Sequence, residues 1–473
     1  MRGYSKEPFK KHITLQTSND STTARRTQFI CFTVALGGLL FGFDTAVISG
    51  ALQPLKTQFS FDATMEGWLV SSGLAGCILG VLITGMLSDR IGRKKTILIA
   101  GWTFLFSAIG CAAAPSAAIL ILSRMLGGIG VGMASMISPM YIAEFSPAAK
   151  RGRMVAYYQL AITIGILLAY LSNALLAHYN IGFSAQEIWR PMFFVMAIPS
   201  IAFLALLVRI PESPRWLVSK GKTKEAAVIM HTVRTPELAD KEIRDIEKAA
   251  QSNTTSTTAQ QSITLSSPQL RIPLLIGVLL AVFQQFSGIN AIIYYGPSIF
   301  EAAGMDSSNA LLSQVIIGSV NLFSTIIAIK WVDQIGRKKL LSIGLTGIVI
   351  SLILCGVLFY TNNTQGPWLL ILMLVFICCF AFSLGPITWI IINEIFPGAV
   401  RVKAVALCTL MLWVAVWMVG QFVPWLLEQA GPAMMFWIFA VFSLANFFFS
   451  WKVVKETSGK TLEEMEEVFI APH

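Results

Sequence analysis

Gly37-Gly38-Leu39-Leu40-Phe41-Gly42-Phe43-Asp44-Thr45-Ala46-Val47-Ile48-Ser49-Gly50 is an apolar, glycine-rich run with one carboxylate near its far end. The apolar sequence around it runs from Gln28 to Gly50, long enough at ~1.5 Å per residue to cross most or all of a ~30 Å hydrocarbon core. The run predicts a membrane span that carries an acid. A charge there costs at least ~2.5 kcal/mol on insertion scales, so such a residue normally faces the bundle interior or a water-filled cavity and marks an ion or proton path. Asp44 is therefore a candidate functional residue, and the rest of the chain must supply its partner.

Working outward, the 473 residues are 55% hydrophobic and 13% charged, with a mean hydropathy of +0.68. Soluble domains carry roughly 25% charged residues, so this composition excludes one and points to a polytopic membrane protein. Apolar segments about 20 residues long fall near 28–50, 66–88, 96–114, 118–142, 154–177 and 191–209, and again near 272–302, 311–332, 340–360, 367–393, 404–428 and 433–454. The expected fold is an all-α membrane protein of twelve transmembrane helices in two pseudo-symmetric six-helix halves, with both termini on one side.

Basic residues in short loops favour the cytoplasm. Of the 35 Lys and Arg, only Lys56 and Arg190 fall in the odd-numbered loops and only Arg124, Arg209, Lys330 and Lys452 within spans, the last three at the ends nearest the other basic residues; all others share one face. Both termini are accordingly expected in the cytoplasm, in a multi-pass protein of the inner or plasma membrane. The net charge of +10 then reflects topology and anionic lipid, with no nucleic acid required. The first 27 residues are polar and hold no apolar core, so the first span is expected to serve for targeting. All seven cysteines lie in predicted spans without metal-type spacing and read as packing residues. Asn362-Asn363-Thr364 is a glycosylation sequon on the expected outer face, meaningful only in a eukaryotic secretory pathway.

The chain repeats itself. Asp89-Arg90-Ile91-Gly92-Arg93-Lys94-Lys95 recurs as Asp333-Gln334-Ile335-Gly336-Arg337-Lys338-Lys339, 244 residues later. Glu144 through Arg151 matches Glu394 through Arg401 at an offset of 250, and Pro211-Glu212-Ser213-Pro214 matches Lys455-Glu456-Thr457-Ser458 at 244. Two parallel six-helix halves with a site between them is a known transporter plan. The expected division is a 1–27 cytoplasmic tail, a 28–209 half, a 210–271 cytoplasmic linker, a 272–454 half and a 455–473 cytoplasmic tail. Within the linker, apolar residues at helical spacing over Gly221 to Ala250 predict short amphipathic helices, and the Ser/Thr/Gln-rich Gln251 to Ser267 predicts a flexible stretch.

A Gly ahead of three basic residues permits a tight turn between helices. Asp89 and Asp333 are expected near helix N-termini, with Arg93 and Arg337 reaching toward Glu144 and Glu394. One reading of these loops is a topology signal alone. The preferred one is a cytoplasmic latch of Asp89, Arg93, Glu144, Arg151, Asp333, Arg337, Glu394 and Arg401 that forms when that side closes and breaks when it opens.

In order along the chain, GGLLFGFDTAVISG, DRIGRKK, SRMLGGIGVG, SPMYIAEFSPAAKRGR, PESPRWL, QQFSGINAIIYY, DQIGRKK, GPITW and EIFPGAVR resemble the sugar porters of the major facilitator superfamily, from Arg26 to Glu464. The resemblance implies a carrier that moves a monosaccharide, hexose or pentose, by alternating access. Asp44 resembles the proton-coupling carboxylate of bacterial proton–sugar symporters, and Arg124 its partner. Both lie about six residues from the outer ends of oppositely directed spans, roughly 9 Å deep. A static buried pair that only fixes packing is the alternative. If the outward-open state weakens this contact, Asp44 takes a proton there, and inward opening is expected to restore the pair.

A sugar offers hydroxyls that donate and accept and C–H faces that stack on rings, so amides and aromatics suit its site. By the resemblance, Gln284, Gln285, Asn290 and Tyr294 of span seven occupy binding positions, as do Gln159, Asn321, Trp389 and Trp413, with Phe41 and Gly385 as further contacts. Hydrogen bonding between bundle helices is the alternative for any single amide. Leu412 and Val416 stand where xylose-type symporters carry a Gln and an Asn, and Lys455 and Ser458 where a Pro and a Lys are usual. The expected partners are a monosaccharide, protons and membrane lipid, with no cofactor and no metal, in a protein working as a monomer. A facilitative uniporter and a transporter-like sugar sensor are the alternatives; the tail of about 20 residues after the last span argues against a sensor. No zinc-protease or phosphate-loop motif suggests an enzyme.

Overall fold

A computed structural model describes residues 7–147, 151–179, 182–255, 267–396 and 400–456, with side chains at all of these except 7–22, 151, 249–255, 332–335 and 402. Among the described residues all regular structure is helical. The first half comprises α1 (Glu7–Phe59), α2 (Ala63–Ile91), α3 (Arg93–Ala113), α4 (Ala117–Phe145), α5 (Arg151–Tyr179), α6 (Trp189–Phe194) and α7 (Ala197–Leu207). Three short helices follow: α8 (Pro214–Ser219), α9 (Thr223–Val233) and α10 (Pro236–Thr255). The second half comprises α11 (Arg271–Gln285), α12 (Ile289–Ala302), α13 (Ser307–Ile335), α14 (Arg337–Tyr360), α15 (Trp368–Phe382), α16 (Leu384–Glu394) and α17 (Arg401–Val453).

The twelve spans are all present, but not as twelve helices. The 53-residue α17 holds two of them: its helical geometry fails at Gly431 (φ 77°, ψ 167°), just before Pro432, where the chain reverses. Spans seven and ten are each broken in two, as α11/α12 and α15/α16, where continuous helices were expected; between α6 and α7, Val195 and Met196 keep helical φ/ψ, so span six runs on as expected. In span seven the break is Phe286-Ser287-Gly288, with Gly288 left-handed at φ 89° and a Cβ there destined to lie 2.6 Å from the Phe439 ring. In span ten it is Ser383 at φ −119°, ψ −88°. Backbone freed inside a membrane must be satisfied by protein: Ser287 Oγ donates to the Gln284 carbonyl at 2.7 Å and Ser383 Oγ to the Cys379 carbonyl at 2.5 Å.

Helix also runs past its expected bounds in two places. α1 begins at Glu7, inside the polar segment read as a cytoplasmic tail. α10 continues to Thr255, into the stretch read as flexible, carried past its buried Ala239 and Ile243 by good helix formers such as Ala249, Ala250 and Gln251. Residues 256–266 lie outside the described residues.

The internal repeat is structural as well. Asp62 caps α2, its carboxylate accepting the Met65 N–H at 2.7 Å, and Asp306, 244 residues on, caps α13 through the Asn309 N–H at 3.1 Å. Gly92 and Gly336 both turn at positive φ, 99° and 94°. Between the halves, α2 packs on α17, α5 on α13 and α1 on α12. Gln53 donates to Ser298 Oγ at 3.3 Å, and Tyr170 donates to the Ile293 carbonyl at 3.1 Å. These bonds lie toward the end of the bundle remote from the basic loops.

Candidate functional site

Asp44 is only 6% exposed and Arg124 4%. Room for them comes from glycine: a Cβ on Gly127 of α4 would stand 3.2 Å from Asp44 Oδ1, and one on Gly73 of α2 would stand 3.2 Å from Arg124 Nη2. Gly128 meets the Gly73 carbonyl so closely that no side chain fits between α2 and α4. The carboxylate and guanidinium feel each other's charge, yet their oxygen and nitrogen atoms do not come within 4.0 Å. The close contact implied by the resemblance is thus absent from this conformation. Arg124 Nε instead donates to the Leu69 carbonyl at 3.2 Å, the guanidinium sits 5.7 Å from the centre of the Phe193 ring, and the buried Nη1 finds no partner among the described residues.

The second cluster forms where the breaks of spans seven and ten meet. Asn290 Nδ2 donates to Gln285 Oε1 at 2.5 Å, Gln285 Nε2 donates to Gln284 Oε1 at 3.3 Å, and Gln284 Nε2 donates to the carbonyls of Leu384 (2.7 Å) and Gly385 (3.3 Å). Gln285 and Asn290 flank the Gly288 turn, so the break aims both amides to one side. Leu384 and Gly385 open α16, and their carbonyls accept from Gln284 of the neighbouring α11. The structure thereby joins Gln284, Gln285, Asn290 and Gly385 in one hydrogen-bonded chain whose remaining donors and acceptors stay free for a polyol.

Phe41 of α1 and Trp413 of α17 meet across the two halves in a tilted ring contact, centres 5.5 Å apart at 45°. Tyr294 is buried on α12, its ring edge-on to Tyr295 at 6.4 Å, within electrostatic reach of Asp44 and Arg124. Gln159 on α5 and Trp389 on α16 are half-buried and Asn321 on α13 is buried, but no side-chain hydrogen bond among the described residues joins these three to the amide chain.

The basic loops differ from expectation in their wiring. Arg93 does reach Glu144 (3.5 Å) and Arg337 reaches Glu394 (3.5 Å), each within its own half. Asp89, however, is exposed at the C-terminal end of α2 and pairs with Arg93 at 3.0 Å. The acid at the N-terminus of α3 is Glu212, accepting from the Arg93 N–H at 2.9 Å and the Lys94 N–H at 3.0 Å. Its repeat mate Glu456 does the same for α14, at 3.0 Å from Arg337 N and 3.1 Å from Lys338 N. A carboxylate satisfies orphan N–H groups and the positive helix end together, which is why the two Glu-containing segments recur at the offset of the loops they cap. Ser213 also donates to Glu144. Arg401 donates to the Phe396 carbonyl at 3.0 Å; the side chains of Arg151 and Asp333 lie outside the described residues. The sequence did hold a signal for Glu212 and Glu456, their repeat, but assigned them no role.

The sugar (and other) transporter family matches residues 30–469. The arabinose-proton symporter of Bacillus subtilis is 42% identical over 436 residues, covering 92% of this chain and 93% of its own. The D-xylose-proton symporter of Escherichia coli K12 is 37% identical over 473 aligned positions, 93% of this chain and 95% of its own. Among solved structures, the partially occluded inward open conformation of the xylose transporter XylE from E. coli superposes with a TM-score of 0.81 at 35% identity, over 92% of this chain and all of that one. The proton:xylose symporter XylE bound to 6-bromo-6-deoxy-D-glucose gives 0.78 at 36% identity, over 94% of this chain and 100% of that one. Shared fold, shared length and a family match across both halves lead to one conclusion: the chain belongs to the sugar (and other) transporter family.

Proposed function

We propose that this protein is a proton-coupled monosaccharide symporter that works by alternating access, with Asp44 as the proton-carrying group and Arg124 as its electrostatic partner. The observation that carries the proposal is the Asp44 carboxylate, buried in the bundle and within charge range of an Arg124 that it does not grip. A static structural pair would be closed, since an unpaired buried charge is costly; an open pair leaves the acid's protonation to conformation. A facilitative uniporter has no need of a buried acid there, and relatives named as arabinose-proton and D-xylose-proton symporters support coupling.

The sugar site is assigned to the Gln284–Gln285–Asn290 chain, with Tyr294, Gln159, Asn321, Gly385 and Trp389 around it and Phe41 and Trp413 as the ring wall. The basic loops and both termini are placed in the cytoplasm by the positive-inside rule, and the chain divides into the two halves, linker and tails proposed from its sequence, working as a monomer in lipid. The conformation with hydrogen bonds between halves at the end remote from those loops is then inward-facing. Asp44 and Arg124 are apart in it, contrary to the sequence-based expectation that inward opening restores the pair.

The test is uptake of labelled pentoses and hexoses into proteoliposomes with and without an inside-alkaline pH gradient. Stimulation of at least one monosaccharide by the gradient is expected. Uptake indifferent to the gradient for every sugar taken up makes the protein a uniporter.

A further inference from the structure

Gln421 lies about ten residues before the Gly431 reversal, in a span that is otherwise apolar around it. Its two amide ends are both taken by the opposite half. Ser71 Oγ of α2 donates to Gln421 Oε1 at 2.7 Å, and Gln421 Nε2 donates to the Thr64 carbonyl at 3.2 Å. Backbones approach closely at the same place: a Cβ on Gly67 would collide with the Gln421 carbonyl oxygen, and one on Gly420 would lie 2.8 Å from Leu74 Cδ1. The Gly420 carbonyl accepts from the buried Tyr295 hydroxyl at 2.5 Å, which fixes this part of α17 to α12. Ser71 is fully buried, so it cannot exchange Gln421 for solvent while the halves stay together.

We propose that Gln421 is a clasp residue: with Ser71 and Thr64 it holds the two halves shut at the end remote from the basic loops and thereby sets the balance between the carrier's two openings. This rests on the carrier function proposed above. Both bonds cross from one half to the other, so both must break when that end opens, whereas the opening at the basic end leaves them intact. Only interactions that differ between the two states move their balance, and these two do. Gln421 touches none of the amide chain around Gln285; it is a positioning residue that acts through the packing of α2 on α17.

The test is hydrogen–deuterium exchange of the purified full chain, parent against Gln421→Leu, with sugar counterflow in proteoliposomes measured alongside. Removing two hydrogen bonds present in one state only shifts the balance about five- to tenfold toward opening at the remote end. Exchange should therefore rise around residues 62–75 and 415–430 and fall around the basic-end residues 86–96 and 401–408. That reciprocal protection is what a merely structural loosening does not give. Ser71→Ala removes one of the two bonds and should give a smaller shift of the same sign if Gln421→Leu fails to fold. Unchanged exchange, or faster exchange at 62–75 with no slowing at the basic end, overturns the clasp. Absence of counterflow in the parent would instead remove the carrier function, an outcome the exchange data do not depend on.

Discussion

Arg124 keeps one buried guanidinium nitrogen without a partner among the described residues while another is spent on the Leu69 carbonyl, and this half-used cation supports the proposed coupling role of the Asp44 region over a packing pair. Two glycines make the arrangement possible, and Gly127→Ala tests them. The added methyl would sit 3.2 Å from Asp44 Oδ1 and against Ser107, overpacking that costs about 1–3 kcal/mol; gradient-driven uptake should fall more than counterflow, because the acid is displaced while the sugar site is untouched. At the proposed sugar site, Gln285→Ala interrupts the amide chain between Asn290 and Gln284. Leaving buried polar partners unpaired costs about 1–3 kcal/mol, or roughly five- to a hundredfold in sugar affinity, readable by calorimetry. Unchanged affinity would take Gln285 out of the site.

The broken spans are the elements that give those residues their directions. Gly288 holds a left-handed turn against the Phe439 ring, so Gly288→Ala combines backbone strain of about 1–2 kcal/mol with a steric clash. Binding should weaken and the thermal midpoint should drop by several degrees. The caps are expected to be milder and independent. Glu212→Gln and Glu456→Gln each remove a charge from a helix N-terminus, about 0.3–1 kcal/mol, and, being far apart, should add in the double variant; a midpoint loss well beyond the sum would mean that the two joints are coupled. Helix existence was legible in the sequence because apolar length alone declares a span. The breaks were not, because Phe286-Ser287-Gly288 and Ser383 lower no hydropathy window and are stabilised by a contact 100 positions away, Gln284 to Leu384. Asp89 was misplaced for a related reason: two acids flank each basic loop, and only folding shows that Glu212, not Asp89, reaches the amide nitrogens.

At the scale of the molecule, the 244-residue repeat appears three times over in matched geometry, in the caps Asp62 and Asp306, the turns Gly92 and Gly336, and the carboxylates Glu212 and Glu456. Symmetric halves give rigid bodies that can rock about a site between them, and the net charge of +10 is gathered largely at one end of that body. The proposed coupling pair is where the symmetry is given up: the first half alone carries Asp44 and Arg124, while the amide chain belongs to the second. On the proposed assignment the proton group and the amides of the sugar site sit on different halves, so coupling them requires the halves to move together. The most direct measurement is sugar transport by Asp44→Asn in proteoliposomes, set beside the parent. The parent should accumulate sugar when the interior is alkaline and should alkalinise a weakly buffered external medium as it does so; Asp44→Asn should keep counterflow and sugar binding but lose accumulation altogether. Accumulation against the gradient by Asp44→Asn, or uptake by the parent with no external alkalinisation, would contradict it.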